Sequence, residues 1–164
     1  MNSSMTAAEL IAWNDATARQ WRDLCLATPA ILDAPCDVAG TGTCSGLLRH
    51  LSITELRYAE LLAGLPAGDY NQVPANTSEQ IFAIHDHAVA VLRTLVEDPT
   101  IDWAQKIEFP TITAGRRLAS RRAILFHAML HSIRHYAQLG TAVRRAGFEH
   151  SLKMDYLLMD SEPA

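Results

Sequence analysis

Three histidines are spaced four residues apart in the last third of the chain, at His127, His131 and His135. On an α-helix, side chains at i and i+4 lie on the same face about one turn apart. Two imidazoles at that spacing can converge on one metal ion. A row of three titratable rings in an apolar stretch therefore predicts metal chemistry rather than packing.

Helix geometry limits which of the three can share an ion. A rise of about 1.5 Å per residue separates His127 from His135 by about 12 Å along the axis, too far for metal bonds of about 2 Å. On a helical wheel His135 lies near the centre of the apolar face and His127 lies to the other side. We predict His131 and His135 as ligands, with His127 behind them or at the rim. Since an unperturbed imidazole titrates near neutral pH, His127 is a candidate proton shuttle.

Two imidazoles make a weak site, so a third ligand should come from another element. His50 is the best candidate, because it lies one turn from both Leu47 and Thr54 on the edge of an apolar face. By contrast, His85 and His87 project about 200° apart on a helix and cannot chelate together, and at least one of them should face solvent. Three neutral imidazoles suit Zn(II), Ni(II), Fe(II) or Mn(II) and leave a position open for water or substrate.

Two other side chains are candidates for substrate binding. Arg57 follows His50 by two turns and could bind a substrate carboxylate, although a salt bridge is the more common role for such a residue. Gln138, near the line of His131, could orient a ligand or pack between helices. We expect no carboxylate beside the histidines, because Glu55 projects about 140° away from His50.

A cluster of arginines flanks the start of the last predicted helix, at Arg116, Arg117, Arg121 and Arg122. Cations at this end oppose the helix dipole, so the helix gains nothing from them. They could attract an anionic ligand, but a solvated patch paired with acidic neighbours is the favoured interpretation.

Four long segments with helical periodicity would position these residues. We predict helices over Thr6 to Thr28, Thr43 to Leu65, Thr77 to the residue before Pro99, and Ser120 to Ala146. Capping boxes are predicted at Thr6 with Glu9 and at Thr77 with Gln80, and Gly147 is the predicted C-cap of the last helix. The economical arrangement is an all-α four-helix bundle.

The segments between and after the helices carry weaker patterns. The run IDWAQKIEFPTIT alternates apolar and polar residues, which predicts a short extended segment or hairpin before the last helix. The tail KMDYLLMDSEPA is predicted to add a short docked turn. We expect His150, which follows the C-cap, at the surface.

The composition is that of a soluble globular protein, with 49% hydrophobic and 20% charged residues in 164. We expect one domain over residues 1–164. The net charge of −4 disfavours nucleic acid as a partner. Neither a signal peptide nor a membrane span is evident, and three cysteines without a CxxC pair favour free thiols, so we expect a cytoplasmic protein.

Two stretches resemble the DinB/YfiT-like family of metal-binding four-helix bundles. They are LLRHLSITELRYAELL around His50 and LFHAMLHSIRHYAQLGTAVRRAG, in which H-x-x-x-H is followed by Gln138. The resemblance implies a metal triad of His50, His131 and His135, and a homodimer. It also implies kinship with S-transferases and isomerases that use low-molecular-weight thiols, although many members have no assigned reaction.

Three functional hypotheses follow. The first is a metal-dependent enzyme that transfers a small thiol or hydrolyses a small substrate at the open coordination position. The second is a non-enzymatic metal-binding or stress-response homodimer that uses the same histidines. The third is a structural helical dimer whose histidines bind nothing.

Overall fold

The structure is a computed structural model that describes residues 4–66, 68–111, 115–159 and 161–162. These residues form four long helices and two small antiparallel sheets. The helices are α1 (Ala7–Ala27), α2 (Cys44–Leu62), α3 (Ser78–Glu97) and α4 (Arg121–Arg145). The strands are β1 (Pro35–Cys36), β2 (Gly42–Thr43), β3 (Lys106–Thr111) and β4 (Gly115–Ser120), and 3₁₀-helices cover Pro29–Asp33, Val38–Gly40 and Tyr156–Met159. Ile112 and Thr113 of the alternating run, and Asp160, Pro163 and Ala164 of the tail, lie outside the described residues.

The helix starts follow the capping chemistry of the sequence. The Thr6 hydroxyl accepts from the Glu9 backbone N–H at 3.2 Å while the Glu9 carboxylate accepts from the Thr6 N–H at 2.7 Å, which confirms the first capping box. Of the two hydrogen bonds in the second predicted capping box, at Thr77 and Gln80, only the first is present among the described residues. The Thr77 hydroxyl accepts from the Gln80 N–H, but the Gln80 amide oxygen accepts from Asn76 instead of Thr77.

Helix α2 ends three residues before the predicted Leu65. Gly64 adopts a left-handed conformation with φ of +71°, which turns the chain out of the helix. The N–H of Leu65 then donates back to the Glu60 carbonyl at 2.9 Å, so the end of the helix is satisfied by the turn itself. The glycine, rather than the following proline, therefore sets the boundary.

The alternating segment contributes the first strand of a hairpin, the second of the two predicted alternatives, and β4 follows the segment. Strands β3 and β4 pair with Lys106 opposite Ser120 and Glu108 opposite Leu118. Ile107 and Phe109 pack against the core while Glu108 is exposed, as the period of two requires. Ser120 ends β4 and also caps α4, because its hydroxyl accepts from the Ala123 N–H.

The four long helices share one apolar core. Helix α2 packs against α3 and α4, and α1 packs against the same two helices. The largest fully buried side chains come from all four helices and include Trp21, Leu47, Phe82 and Tyr136. The pairing of α2 with α4 is the one that places the predicted histidines face to face.

The segment between α1 and α2 holds structure that the sequence did not predict. Strands β1 and β2 form a two-residue ladder, with Cys36 opposite Gly42, and β1 contacts both α2 and α4. The N–H of Cys44 donates to the Ala34 carbonyl at 2.9 Å, which fixes this segment to the start of α2. All three cysteines are buried free thiols, as predicted.

The C-terminal tail forms a short docked turn, as predicted, and the structure shows that it docks on α1. The Trp13 indole N–H donates to the Met154 carbonyl at 2.8 Å, and Gln20 exchanges two hydrogen bonds with the Lys153 backbone. The surface placement expected for His150 is wrong, because its ring is partly buried 5.6 Å from that of Trp21. None of the described helices combines the length and apolar character that a membrane crossing requires.

Candidate metal centre

Helices α2 and α4 bring His50, His131 and His135 together. One nitrogen from each ring lies within 4.8 Å of the other two. The ring centroid of His50 lies 5.4 Å from that of His131 and 5.2 Å from that of His135. The rings therefore surround a common point, with donors from two separate helices.

The spacing of the two α4 donors fits coordination of one ion. The Nε2 atoms of His131 and His135 are 3.1 Å apart. Two bonds of about 2.1 Å that meet at a tetrahedral or octahedral angle place their nitrogens about 3.0 to 3.4 Å apart. The i, i+4 spacing on a regular helix thus supplies both the common face and the required separation.

The surroundings keep these imidazoles neutral. Burial, followed by the proximity of His135 and His50, lowers the pKa of His131 to about 3. Burial also lowers the pKa of His50 and that of His135. Because a metal binds the deprotonated ring, the three lone pairs are available at neutral pH without removal of a proton.

Gln138 is placed to orient one of the ligands. Burial lowers the pKa of His135, and the Gln138 side chain lies close enough to that ring to oppose part of the effect. The Oε1 of Gln138 and the Nδ1 of His135 are both buried, and neither has a hydrogen-bond partner among the described residues. An amide oxygen that accepts from Nδ1–H would leave Nε2 as the metal donor.

His127 lies beside the three rings at the surface. Its centroid is 5.8 Å from that of His131 and 5.5 Å from that of Tyr58, and its side chain is exposed. It does not join the group of converging nitrogens. This is the rim position that the helical wheel predicts.

Glu55 points away from the centre, as expected, into a buried polar network. Its carboxylate accepts from Asn14 at 2.6 Å and lies 2.6 Å from Nδ1 of His85. Nε2 of His85 lies 3.6 Å from a carboxylate oxygen of Asp15. His85 is fully buried whereas His87 is exposed, which confirms that one of the pair faces solvent.

This network was not predicted, although the sequence contains a signal for the burial of His85. His85 lies one turn after Ile81 and one turn before Val89, both buried, so it occupies an apolar face. Asp15, His85 and Asp86 are also close enough to hold an ion. Arginines already neutralise the two carboxylates, however, since Arg93 lies 2.6 Å from Asp15 and Arg22 lies 2.5 Å from Asp86.

Two clefts border the histidine centre. The smaller, of about 330 Å³, runs along α2 and is lined by His50, Arg49 and Arg57 among others. The larger, of about 720 Å³, lies between residues 35–42 and α4 and is lined by Gln138. A small molecule in either cleft would lie beside a residue of the centre.

The predicted arginines have distinct environments. The Arg57 guanidinium lies 5.4 Å from the centroid of the Tyr70 ring, and no described carboxylate forms a salt bridge with it. In the cluster before α4, one arginine pairs with an acid, one hydrogen-bonds to an amide, one lies over an aromatic ring, and the fourth has no side-chain partner among the described residues. These contacts are Arg116 to Glu108, Arg121 to Gln105, and Arg122 over Phe126, with Arg117 exposed. The favoured pairing with acidic neighbours therefore holds for Arg116 alone among the described residues.

Comparison with known proteins identifies the family. The model of the DinB family matches residues 1–163, which is essentially the whole chain. No curated protein and no solved structure matches the chain. The two stretches that resemble the family carry the three converging histidines. The chain belongs to the DinB family.

Proposed function

We propose that the protein is a four-helix-bundle metalloprotein that holds a divalent transition metal on His50, His131 and His135 and acts on a small molecule. The supporting observation is the convergence of three neutral imidazoles from two helices within 4.8 Å. Three protein donors leave at least one coordination position for water or substrate, which is typical of catalytic rather than structural sites. Zn, Ni, Fe and Mn all suit the donor set.

The reaction that we favour is transfer of a low-molecular-weight thiol to a small molecule. Hydrolysis is the alternative, in which water replaces the thiol as the nucleophile. A bound divalent cation lowers the pKa of a coordinated thiol or water and so supplies the nucleophile. The protein's own thiols are all buried, which does not suit this role. Burial raises the pKa of Cys25 to about 12 and that of Cys44 to about 11. A reacting thiol would therefore come from a separate small molecule.

The protein residues divide the remaining tasks. His50, His131 and His135 hold the ion, and Gln138 fixes the orientation of the His135 ring. His127 is the group that carries a proton between the centre and solvent, because it is exposed and its ring lies 5.8 Å from that of His131. Glu55 takes no part, since Asn14 and His85 occupy its carboxylate.

A second candidate is a non-enzymatic metal-binding or stress-response protein. It is favoured by one observation: among the described residues, no carboxylate joins the three histidines as a general base. Homodimerisation, which the family resemblance implies, remains a prediction for either function. Analytical ultracentrifugation of the untagged protein tests it.

Metal analysis of the untagged protein tests the site. We expect about one divalent ion per chain in the wild type. We expect that His131→Ala removes it, because His131 belongs to both pairs of histidines on α4 that are spaced four residues apart. The matched control is His87→Ala, which removes an exposed imidazole on α3. Stoichiometric metal in His131→Ala, or equal loss in both variants, would refute the site.

Turnover separates the two candidate functions. The metal-loaded protein is incubated with electrophiles and several cellular thiols, and conjugates are followed by mass spectrometry. We expect conjugation that stops after chelation and returns when metal is restored. Absence of turnover with every pairing, in protein that retains its metal, would favour the binding or stress-response function.

A further inference from the structure

We propose that the smaller cleft beside His50 binds the oxyanion group, carboxylate or phosphate, of the small molecule that reacts at the metal centre. The inference rests on the proposed function and adds the chemical class of its substrate. It follows from the placement of Arg49 and Arg57 in one cleft with a predicted metal ligand.

The two arginines flank His50 along one helix. Arg49 immediately precedes His50, and Arg57 follows it by two turns near the same face. Both side chains are half-buried and line the same cleft of about 330 Å³. That volume lies near the lower end of the range of about 300 to 1,000 Å³ for small-molecule sites.

Neither arginine has a described acidic partner. Elsewhere in the protein, Arg19 and Arg93 pair with Asp15 and Arg22 pairs with Asp86. No salt bridge or hydrogen bond occupies Arg49 or Arg57 among the described residues. A half-buried guanidinium has lost part of its hydration, so an unpaired one favours an anionic ligand.

Tyr70 holds the Arg57 side chain in place. The guanidinium lies 5.4 Å from the centroid of the Tyr70 ring. The Tyr70 hydroxyl donates to the Glu60 carboxylate at 2.6 Å. Glu60 is therefore hydrogen-bonded to Tyr70 and forms no salt bridge with Arg57 among the described residues. The stacked guanidinium keeps its N–H donors free for a ligand.

The other polar groups of the cleft are already engaged. The Thr54 hydroxyl donates to the His50 carbonyl at 2.7 Å, and the Thr41 hydroxyl donates to the Val38 carbonyl at 2.9 Å. The two guanidiniums are therefore the donors available to a bound molecule. Their planar fork matches the oxygens of a carboxylate or a phosphate.

The charge around the centre favours an anion in this cleft rather than in the larger one. Arg49 and Arg57 line the smaller cleft and no carboxylate does among the described residues, so the electrostatic field in it is positive. A divalent cation on the histidines would add to that field. The larger cleft, by contrast, is lined by both Asp37 and Arg145.

Titration calorimetry on the zinc-loaded protein tests the inference, with succinate and inorganic phosphate as separate probes. We expect at least one of them to bind, and we expect about tenfold weaker binding or worse in the double variant Arg49→Gln/Arg57→Gln, which loses two charged donors. The control is Arg117→Gln, which removes one positive charge at an exposed position of β4. It should bind like the wild type.

Zinc content and thermal unfolding are measured for each variant first, and the titrations are repeated after chelation. Tighter binding of succinate identifies a carboxylate site, and tighter binding of phosphate identifies a phosphate site. Failure of both probes to bind the zinc-loaded wild type, or equal affinity in the folded double variant, would overturn the inference while leaving the metal site intact. A wild type that holds no zinc would instead overturn the proposed function.

Discussion

Gln138 is the residue whose role the structure sharpens most. Its side chain lies close to His135, and its Oε1 and the His135 Nδ1 are both buried without a hydrogen-bond partner among the described residues. This arrangement favours orientation of a ligand over simple packing between helices. A hydrogen bond at Nδ1 would fix the tautomer that presents Nε2 to the ion.

Replacement of Gln138 by Leu should therefore weaken metal binding without removing it. We expect about 10- to 100-fold lower affinity, the usual cost of losing a hydrogen bond behind a metal-bound histidine. Competition with a chromophoric chelator measures the affinity. The control is Gln72→Leu, at an exposed amide whose side-chain partner among the described residues is Asp69. Unchanged affinity in Gln138→Leu would assign the side chain to packing alone.

At the residue scale, the sequence was sufficient to predict which side chains share one face of a single helix. The i, i+4 spacing of His131 and His135 fixes their common face before any tertiary contact is known. The placement of His50 on an apolar face, together with the family resemblance, supplied the third ring. The role of His85 could not be predicted, because its partners Asp15 and Glu55 lie on two other helices.

At the scale of elements, the buried network of Asp15, Glu55 and His85 ties α1, α2 and α3 together. Burial by itself lowers the pKa of His85, but the two carboxylates outweigh it and raise that pKa to about 9. The His85 hydrogen bond and the arginines beside it lower the pKa of Asp15, although burial opposes them. The charged forms of both groups thus stabilise the native state.

This network predicts a loss of stability at alkaline pH. An unfolded histidine titrates near 6.5, so the stabilisation from protonated His85 is complete below about pH 6.5 and is lost as the pH rises through about 9. Asp15 contributes in the opposite sense, since its stabilisation is present above about pH 4 and is lost on further acidification. Urea unfolding from pH 6 to 10 measures the free energy of unfolding.

The variant His85→Gln isolates the contribution of the histidine. It leaves the buried Glu55 without its cation, so we expect a cost of about 3 to 5 kcal/mol near pH 6 and a smaller difference from the wild type at pH 10. His87→Gln, at an exposed position of the same helix, should track the wild type. A difference between His85→Gln and the wild type that does not change with pH would mean that His85 is neutral in the native protein.

Element boundaries were predictable where one residue sets them and unpredictable where tertiary contacts do. The caps at Thr6 and Ser120 follow from side-chain chemistry. The ladder of Cys36 with Gly42 could not be predicted, because two-residue strands carry no periodicity. Ala39, with a φ of +53°, adopts there a conformation that its side chain does not favour.

At the scale of the whole molecule, a chain of net charge −4 surrounds its histidine centre with arginines. Arg49 and Arg57 line the cleft on α2, and Arg134 on α4 adds to the effect of burial in lowering the pKa of His131. The charge of the side chains around the histidine centre is thus positive, whereas the net charge of the chain is negative. The global charge suits solubility, and the local charge suits an anionic substrate.

X-ray absorption spectroscopy of the zinc-loaded protein tests the central claim most directly. We predict three imidazole nitrogens at about 2.0 to 2.1 Å, a light-atom ligand in the open position, and no sulfur at about 2.3 Å. In His50→Ala the number of imidazoles should fall from three to two, whereas His87→Ala should give the wild-type spectrum. A sulfur ligand, or an imidazole count that His50→Ala leaves unchanged, would contradict a centre built from α2 and α4.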